Sequence, residues 1–587
     1  MRFLGNVLAT IIGMFIFFMM LFFGMLLIGA IFSTDSVTVS TENNSVIELD
    51  LSQVTEDYGG KIFYKDFDRY ETNHDGLIDV INGVNAAKTD DDIKGISILN
   101  NESSLGIAQT KALRDALEDF KKSGKFIMAY SNSYSQKEYY LNSVAETLYI
   151  NPIGNLDFRG LSTEIMFFKD FQDNTGIKME VIRHGKYKSA VEPFLENKMS
   201  EANRQQTTSM LNSIWSSVVS DISKSRNISI KRLNEVANGL LARTPEMAKT
   251  EKLIDIIAYE DTYHDAIRRA LKVNKDEVYN KISILDYAEK VATTSESDSS
   301  NNKIAVIYAQ GEIQSGEGDI TIIGEGSMRR SFQEARKDED VKAIVLRINS
   351  PGGSALTSDL IWREIELTKK VKPVIVSMGN YAASGGYYIA CNANRIFAEK
   401  NTITGSIGVF GILPNFSVAA NKYGLHTEQI RTHENASDYS PFMPLDEKFK
   451  NFSQESVEQI YKTFLYHVSK GRKMTFASVD AIAQGRVWTG SEALDLGLVD
   501  EIGGMDAALK YAASLVKIKN YSTVNYPEYE KNFLDYFKKS GLPFVQSKEN
   551  FIKEEIGSEN YKILQRLKKM HALKGVQAIM PFEIDIQ

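Results

Sequence analysis

Residues 341–387 read VKAIVLRINSPGGSALTSDLIWREIELTKKVKPVIVSMGNYAASGGY. Within this run, Ala343-Ile-Val-Leu-Arg-Ile348 is short, apolar and rich in β-branched residues, and Val374-Ile-Val-Ser377 repeats that character. Between them, Thr357 to Lys369 spaces its apolar residues at helical intervals. A strand, a helix and a second strand in this order predict a parallel pair with a helical crossover. Ile304-Ala-Val-Ile-Tyr308 adds a strand upstream. The pattern is therefore α/β, built of β-β-α units with substantial parallel pairing. Ligand sites in such sheets form where strands end and helices start. Two glycine-bearing segments stand at such places: Asn349-Ser-Pro-Gly-Gly-Ser354 and Ala382-Ala-Ser-Gly-Gly-Tyr387.

The same pattern occurs earlier in the chain. Tyr139-Tyr140-Leu141 matches Tyr387-Tyr388-Ile389 and Gly160 matches Gly408, each about 248 positions apart. Ile93-Lys-Gly-Ile-Ser-Ile-Leu99 echoes Val341-Lys-Ala-Ile-Val-Leu-Arg347, and Val236-Ala-Asn-Gly239 parallels Ile482-Ala-Gln-Gly485. A diverged tandem duplication accounts for these matches. The polar stretch Ala292 to Lys303, ATTSESDSSNNK, lacks apolar periodicity and reads as the linker between halves. The expected layout is an anchor over 1–35, a first domain over 36–292, a linker over 293–303, a second domain over 304–520 and an extension over 521–587. In that extension, Leu564-Gln-Arg-Leu-Lys-Lys-Met570 fits either a basic amphipathic helix or an ordinary solvated face.

The first residues bear on compartment. After Arg2 no charge appears until Asp35, and Val7 to Phe32 is almost continuously apolar. About 20 helical residues span a bilayer, and Ile28-Gly-Ala30 is a poor cleavage site, so the stretch reads as an uncleaved single-pass anchor. Arg2 and the amino terminus flank the cytoplasmic side, with Asp35 and Glu42 on the other. The body is thereby expected on the periplasmic or extracytoplasmic face of the cell (inner) membrane. The 587 residues carry a net charge of −8 and no dense basic patch, which speaks against nucleic acid as a partner. One cysteine, Cys391, excludes an intrachain disulfide and multi-cysteine metal sites, and reads as a buried packing residue. Glu71-Thr-Asn-His-Asp-Gly76 imitates a calcium loop, but its twelfth position is Asn82 rather than Glu, so no metal is expected.

The paired glycines of 349–354 suit a turn whose N–H groups face a cleft, as an oxyanion requires; an ordinary strand-to-helix turn uses the same residues. Ser384, ringed by Ala and Gly, suits a nucleophile that a substrate backbone can approach, with the Gly385 N–H as a further oxyanion donor; a serine N-cap, which is very common, is the competing reading and the one the residues alone favour.

Taken together the two segments resemble the serine-protease branch of the crotonase-like and Clp-protease-like folds, and more narrowly the signal peptide peptidase A family in its long, duplicated form. The likeness runs from Val374 to Gly411, including Thr404-Gly-Ser-Ile-Gly408, and continues at Val487-Trp-Thr-Gly490 and Gly497-Leu-Val-Asp500. It implies two tandem crotonase-like (Clp-protease-like) domains behind one transmembrane helix. It further implies a serine endopeptidase with Ser384 as nucleophile and Gly353, Gly385 and Gly352 as oxyanion donors. The general base implied is Lys188, in Gly185-Lys-Tyr-Lys-Ser-Ala-Val-Glu-Pro193 of the first half. The seven histidines lie outside these motifs, with His426 and His433 nearest downstream; Lys186 is an obvious decoy and Lys137 a minor rival. A lysine base must fall by about 3 from its ordinary pKa of about 10.4, on the order of 4 kcal/mol, which desolvation in a closed cleft can supply. Gln136 stands where the first half would carry its serine, and roughly Ala436 where the second would carry its lysine, so one split dyad per chain is expected. Also implied are apolar peptide substrates such as signal-peptide remnants, a homotetramer and no cofactor. The rivals are a crotonase-type acyl-CoA enzyme and a non-catalytic membrane scaffold.

Overall fold

A computed structural model describes residues 2–32, 40–64, 69–297, 301–436, 439–531 and 576–580. The chain divides into two units, Met1–Thr41 and Glu42–Gln587. The first is a 31-residue helix, Arg2–Phe32, in which Gly5–Gly24 has a mean hydropathy of 2.5, long and apolar enough to cross a membrane. The basic segment 564–570 lies outside the described residues, as does Asp35.

The second unit is built on two sheets with the same strand order. In the first half, parallel strands run Ile256–Ile257, Thr147–Ile150, Phe126–Ser131, Ile93–Leu99, Ser45–Glu48 and Lys281–Ser283 across the sheet. In the second half, Glu501–Ile502, Arg395–Ala398, Val374–Ala383, Val341–Ser350, Lys303–Gln310 and Ser522–Tyr526 take the same six places, again all parallel. A shared order of six strands is what duplication of one folding unit produces. Helices cover both faces, which is why Val341–Ser350 and Val374–Ala383 read as continuous apolar runs rather than alternating ones. Ile344, Leu346, Ile348, Val374 and Val376 enter one core and Val345 and Ile375 the core on the opposite face.

The expected elements appear with longer bounds. The strand expected at Val374–Ser377 continues to Ala383, one residue short of Ser384, and the crossover helix spans Ala355–Thr368. The segment 349–354 is more than a turn: Gly352–Ser354 is a short strand of a separate mixed sheet. Helix Ile284–Ser297 runs into the expected linker stretch 293–303, and strand Lys303–Gln310 begins at its end. Within the expected extension, Ser522–Tyr526 forms the edge of the second sheet and Glu528–Lys531 pairs with Lys61–Tyr64.

The halves form one body for two reasons. Lys178–His184 of the first half pairs antiparallel along its whole length with Val409–Asn415 of the second. A buried ion pair then joins them, Arg347 Nε donating to Asp57 at 2.7 Å, with Arg347 also donating to Ser377 Oγ and Met378 O, both at 2.9 Å. Gln109 donates to the other Asp57 oxygen at 2.9 Å. Both charged side chains are almost wholly enclosed, at 2% and 0% exposed. Asp57→Ala would strand the guanidinium without its counter-charge. It is expected to destabilise the folded chain by about 3–5 kcal/mol, measured by denaturant unfolding.

Candidate active site

Three backbone features converge at the carboxyl ends of the second sheet. Val374–Ala383 ends at Ser384, from which helix Gly385–Ala390 departs. Ser384 has φ 54° and ψ −112°, an uncommon conformation for a residue with a Cβ. Its N–H donates to Gly405 O at 2.8 Å, and its carbonyl accepts from Tyr388 N at 2.8 Å. By position Ser384 is the helix N-cap, but its side chain makes no capping bond. The hydroxyl instead donates to Gly408 O at 3.4 Å.

The antiparallel pairing of Lys178–His184 with Val409–Asn415 carries the next residues of the first half over the second. Gly185 turns with φ 102°, Tyr187 N donates to Gln484 O at 2.9 Å, and Lys188 enters the core. Room for it comes from glycines. A Cβ on Gly485 would lie 2.7 Å from the Cβ of Lys188, and one on Gly408 would lie 3.3 Å from its Cδ. Lys188 and Ser384 are both 0% exposed. Lys188 Nζ lies 2.8 Å from Ser384 Oγ, 3.0 Å from Ser406 Oγ and 3.2 Å from Ser406 O. No carboxylate joins this set among the described residues, and burial alone pushes the amine well below the ordinary lysine range. A neutral amine has two N–H donors and one lone pair, which matches two bonds to Ser406 and acceptance of the Ser384 proton.

The turn beside Ser384 is built from glycine by necessity. Gly352 and Gly353 have φ 105° and 155°. A Cβ on Gly352 would lie 2.8 Å from Gly385 N, and one on Gly385 would lie 2.6 Å from Ser358 Oγ and 3.2 Å from Gly353 N. The amides of Gly353 and Gly385 thus border one small space beside Ser384, with the Gly352 turn closing it.

The rival bases are placed elsewhere. Lys186 is exposed, its amine over the Tyr187 ring, and His426 and His433 are exposed. Lys137 lines a cavity with Glu56, Asn380 and Asn401, which none of Ser384, Lys188 or Gly353 lines. Gln136, at the first half's serine position, is tied up structurally: its Oε1 accepts from Arg159 N and Gly160 N, and its Nε2 donates to Gly160 O. Ala436 lies on an exposed loop. Cys391 is fully buried.

Two contributors were not singled out in the sequence. Ser406 sits inside Thr404-Gly-Ser-Ile-Gly408, where a hydroxyl between two glycines was the available signal. The second is the strand Gln577–Ile579, inserted between Gly352–Ser354 and Val409–Asn415, for which no local signal exists.

The model for peptidase family S49 matches residues 119–274 and 366–519, one stretch in each half. "Protease 4" of Haemophilus influenzae is 38% identical over 455 residues, 76% of this chain and 74% of that protein. "Protease 4" of Salmonella typhi is 36% identical over 487 residues, 81% of this chain and 77% of that one. "Serine protease SPPA, chloroplastic" of Arabidopsis thaliana is 33% identical over 441 residues, 74% of this chain and 64% of that one. The two stretches matched by the family model contain Lys188 and Ser384 respectively. The chain belongs to peptidase family S49 and is a serine protease.

Proposed function

We propose that Ser384 and Lys188 form a split Ser/Lys dyad, and that the protease cuts apolar peptides, cleaved signal peptides among them, at a membrane surface. The observation that carries this is the 2.8 Å approach of a fully buried lysine amine to the serine hydroxyl. Neutral Lys188 takes the Ser384 proton as Oγ attacks a peptide carbonyl. The amides of Gly353 and Gly385, with the Gly352 turn behind them, hold the oxyanion. Lys188 returns the proton to the leaving amine, then activates the water that hydrolyses the acyl-enzyme.

No cofactor enters this scheme. An assembled dyad is also what a decayed scaffold would have lost. The apolar helix Arg2–Phe32 supports anchoring, and the charge asymmetry about it supports a body on the extracytoplasmic side. Assembly as a homotetramer belongs to the same reading, by likeness to the long form of the family. The test is hydrolysis of an apolar fluorogenic peptide by the full chain in detergent. Activity should vanish with Ser384→Ala and with Lys188→Ala and survive Lys186→Ala; persistence in Lys188→Ala would move the base elsewhere.

Ser406 holds the amine toward Ser384 through its hydroxyl, which itself donates to Gly485 O at 3.4 Å. Ser406→Ala removes one buried bond worth about 1–3 kcal/mol. The expected result is a drop in kcat of about 10- to 100-fold with KM little changed, read by steady-state kinetics.

A further inference from the structure

The first half keeps a counterpart of the Ser384 site. Gln136 stands at the serine position and opens helix Gln136–Asn142. The segment 104–106 leads into helix Ile107–Lys121 as Gly352–Ser354 leads into helix Ala355–Thr368. Gly352–Ser354 is paired on both sides, with Glu312–Gln314 and with Gln577–Ile579. Among the described residues, 104–106 pairs with no strand. A cavity of about 280 Å³ lies there instead, with Ser104, Leu105, Gly106, Gln136 and Lys137 on its lining. That volume is at the small end of ligand pockets.

The second half adds two asparagines to this lining, and they differ in one respect. Asn380 is satisfied: its Oδ1 accepts from Ala108 N at 3.1 Å and Gln109 N at 3.0 Å, capping helix Ile107–Lys121. Asn401 is not. It is 1% exposed, yet neither its amide oxygen nor its amide nitrogen has a partner among the described residues. A buried amide left so costs stability until a bound group meets it. A peptide group meets both sides, its N–H donating to Oδ1 and its C=O accepting from Nδ2. The lining also carries one side chain of each charge, Glu56 and Lys137. Burial, and then Asp57 beside it, push the Glu56 carboxyl up to about 7, and an ammonium placed there would favour the carboxylate. Leu105, Leu161, Val218 and Ile403 supply apolar wall.

We propose that this cavity is a second peptide site, which holds a free di- or tripeptide with apolar side chains, the chemical class of a protease's smallest products. Lys137 takes the peptide's carboxylate, Glu56 its ammonium and Asn401 an internal peptide group, while the side chains rest on Leu161, Val218 and Ile403. Both free ends are recognised, so longer or blocked peptides are excluded. No bond is made or broken here, since Gln136 replaces the serine and its amide is held by Arg159 N and by Gly160 N and O. The proposal is independent of the roles given to Ser384 and Lys188.

The experiment titrates leucyl-leucine into the full chain in detergent by calorimetry, with Ser384→Ala in every sample so that the probe stays intact. A single site per chain is expected. Affinity should fall at least about tenfold for N-acetyl-leucyl-leucine amide, which lacks both charged ends, and for leucyl-leucine on Lys137→Met or Asn401→Leu. A dipeptide of diazirine-bearing leucine then locates the site, and its crosslinks should fall on 104–107, Leu161, Val218 or Ile403. Should Asn401→Leu fail to fold, Lys137→Met decides, because it alters a half-buried side chain in the first turn of a helix. Equal affinity for free and blocked dipeptides, an unchanged Kd in Lys137→Met, or no binding at all would overturn the proposal. So would crosslinks confined to 352–354 and 409–415 beside Ser384. None of these results bears on the dyad.

Discussion

Ser384→Ala is expected to lower kcat by about 10⁴-fold or more, with little change in KM and no loss of folding. On the proposed dyad, the nucleophile is removed while the glycine amides and Lys188 stay in place. What activity remains comes from binding and the oxyanion donors. Lys188 keeps both contacts to Ser406, so the buried amine retains partners. A companion variant separates chemistry from strain. Ser384→Gly should be as inactive but more stable by about 1 kcal/mol, because glycine adopts φ 54° without the cost a side chain bears there. Thermal unfolding of the two variants reads this difference. Equal stability would mean the turn is relaxed around the serine.

Lys188→Met is expected to lose activity to a similar degree and to raise the melting temperature at neutral pH. Methionine fills the channel past Gly485 and Gly408 without a group that water would rather keep. The sign follows from protonation. Burial pushes the Lys188 pKa well down, so the folded chain holds the amine neutral over a range where the unfolded chain, with a lysine near about 10.4, protonates it. The unfolded state then binds more protons, and wild-type stability rises with pH between the depressed folded value and about 10.4. Lys188→Met should abolish this slope, which unfolding titrations at several pH values would detect. In wild type kcat/KM should rise as pH passes through the same depressed value, since only the neutral amine accepts the serine proton. Lys188→Arg, charged at every accessible pH, should be inactive and less stable than wild type. A stable, active Lys188→Arg chain would remove Lys188 from the base role. The proposed dyad would thus trade stability for function, its lysine held where an uncharged residue would sit better.

Much of this architecture was legible before folding was considered. Apolar runs such as Ala343–Ile348, the helical spacing of Thr357–Lys369 and the 248-residue echo between halves gave the class, the parallel pairing and the duplication, because these are periodic, local properties. Asn349–Ser354 and Ala382–Tyr387 could be marked as turns at strand ends for the same reason. Their local chemistry stopped at ambiguity. An N-cap serine and a nucleophilic serine are the same residue in the same place, and the absent cap bond and the lysine amine 2.8 Å away are visible only in the folded chain.

Lys188 shows the limit most clearly. Its neighbours Arg183, His184 and Lys186 read as a basic surface, and 196 residues separate it from Ser384. Its burial comes from the pairing of Lys178–His184 with Val409–Asn415 and from the space left by Gly485, contacts with no local trace. Ser406 was visible as part of a motif but had no assignable partner. The strand Gln577–Ile579 had no signal at all, because its place in the sheet is set by unpaired edges on two remote segments. Composition and period thus determined the layers, the repeat and the apolar helix at the amino end. The meeting of serine, lysine and carboxyl-terminal strand was decided by long-range strand pairing, since a pKa and a hydrogen-bond register depend on what surrounds a residue in space rather than along the chain.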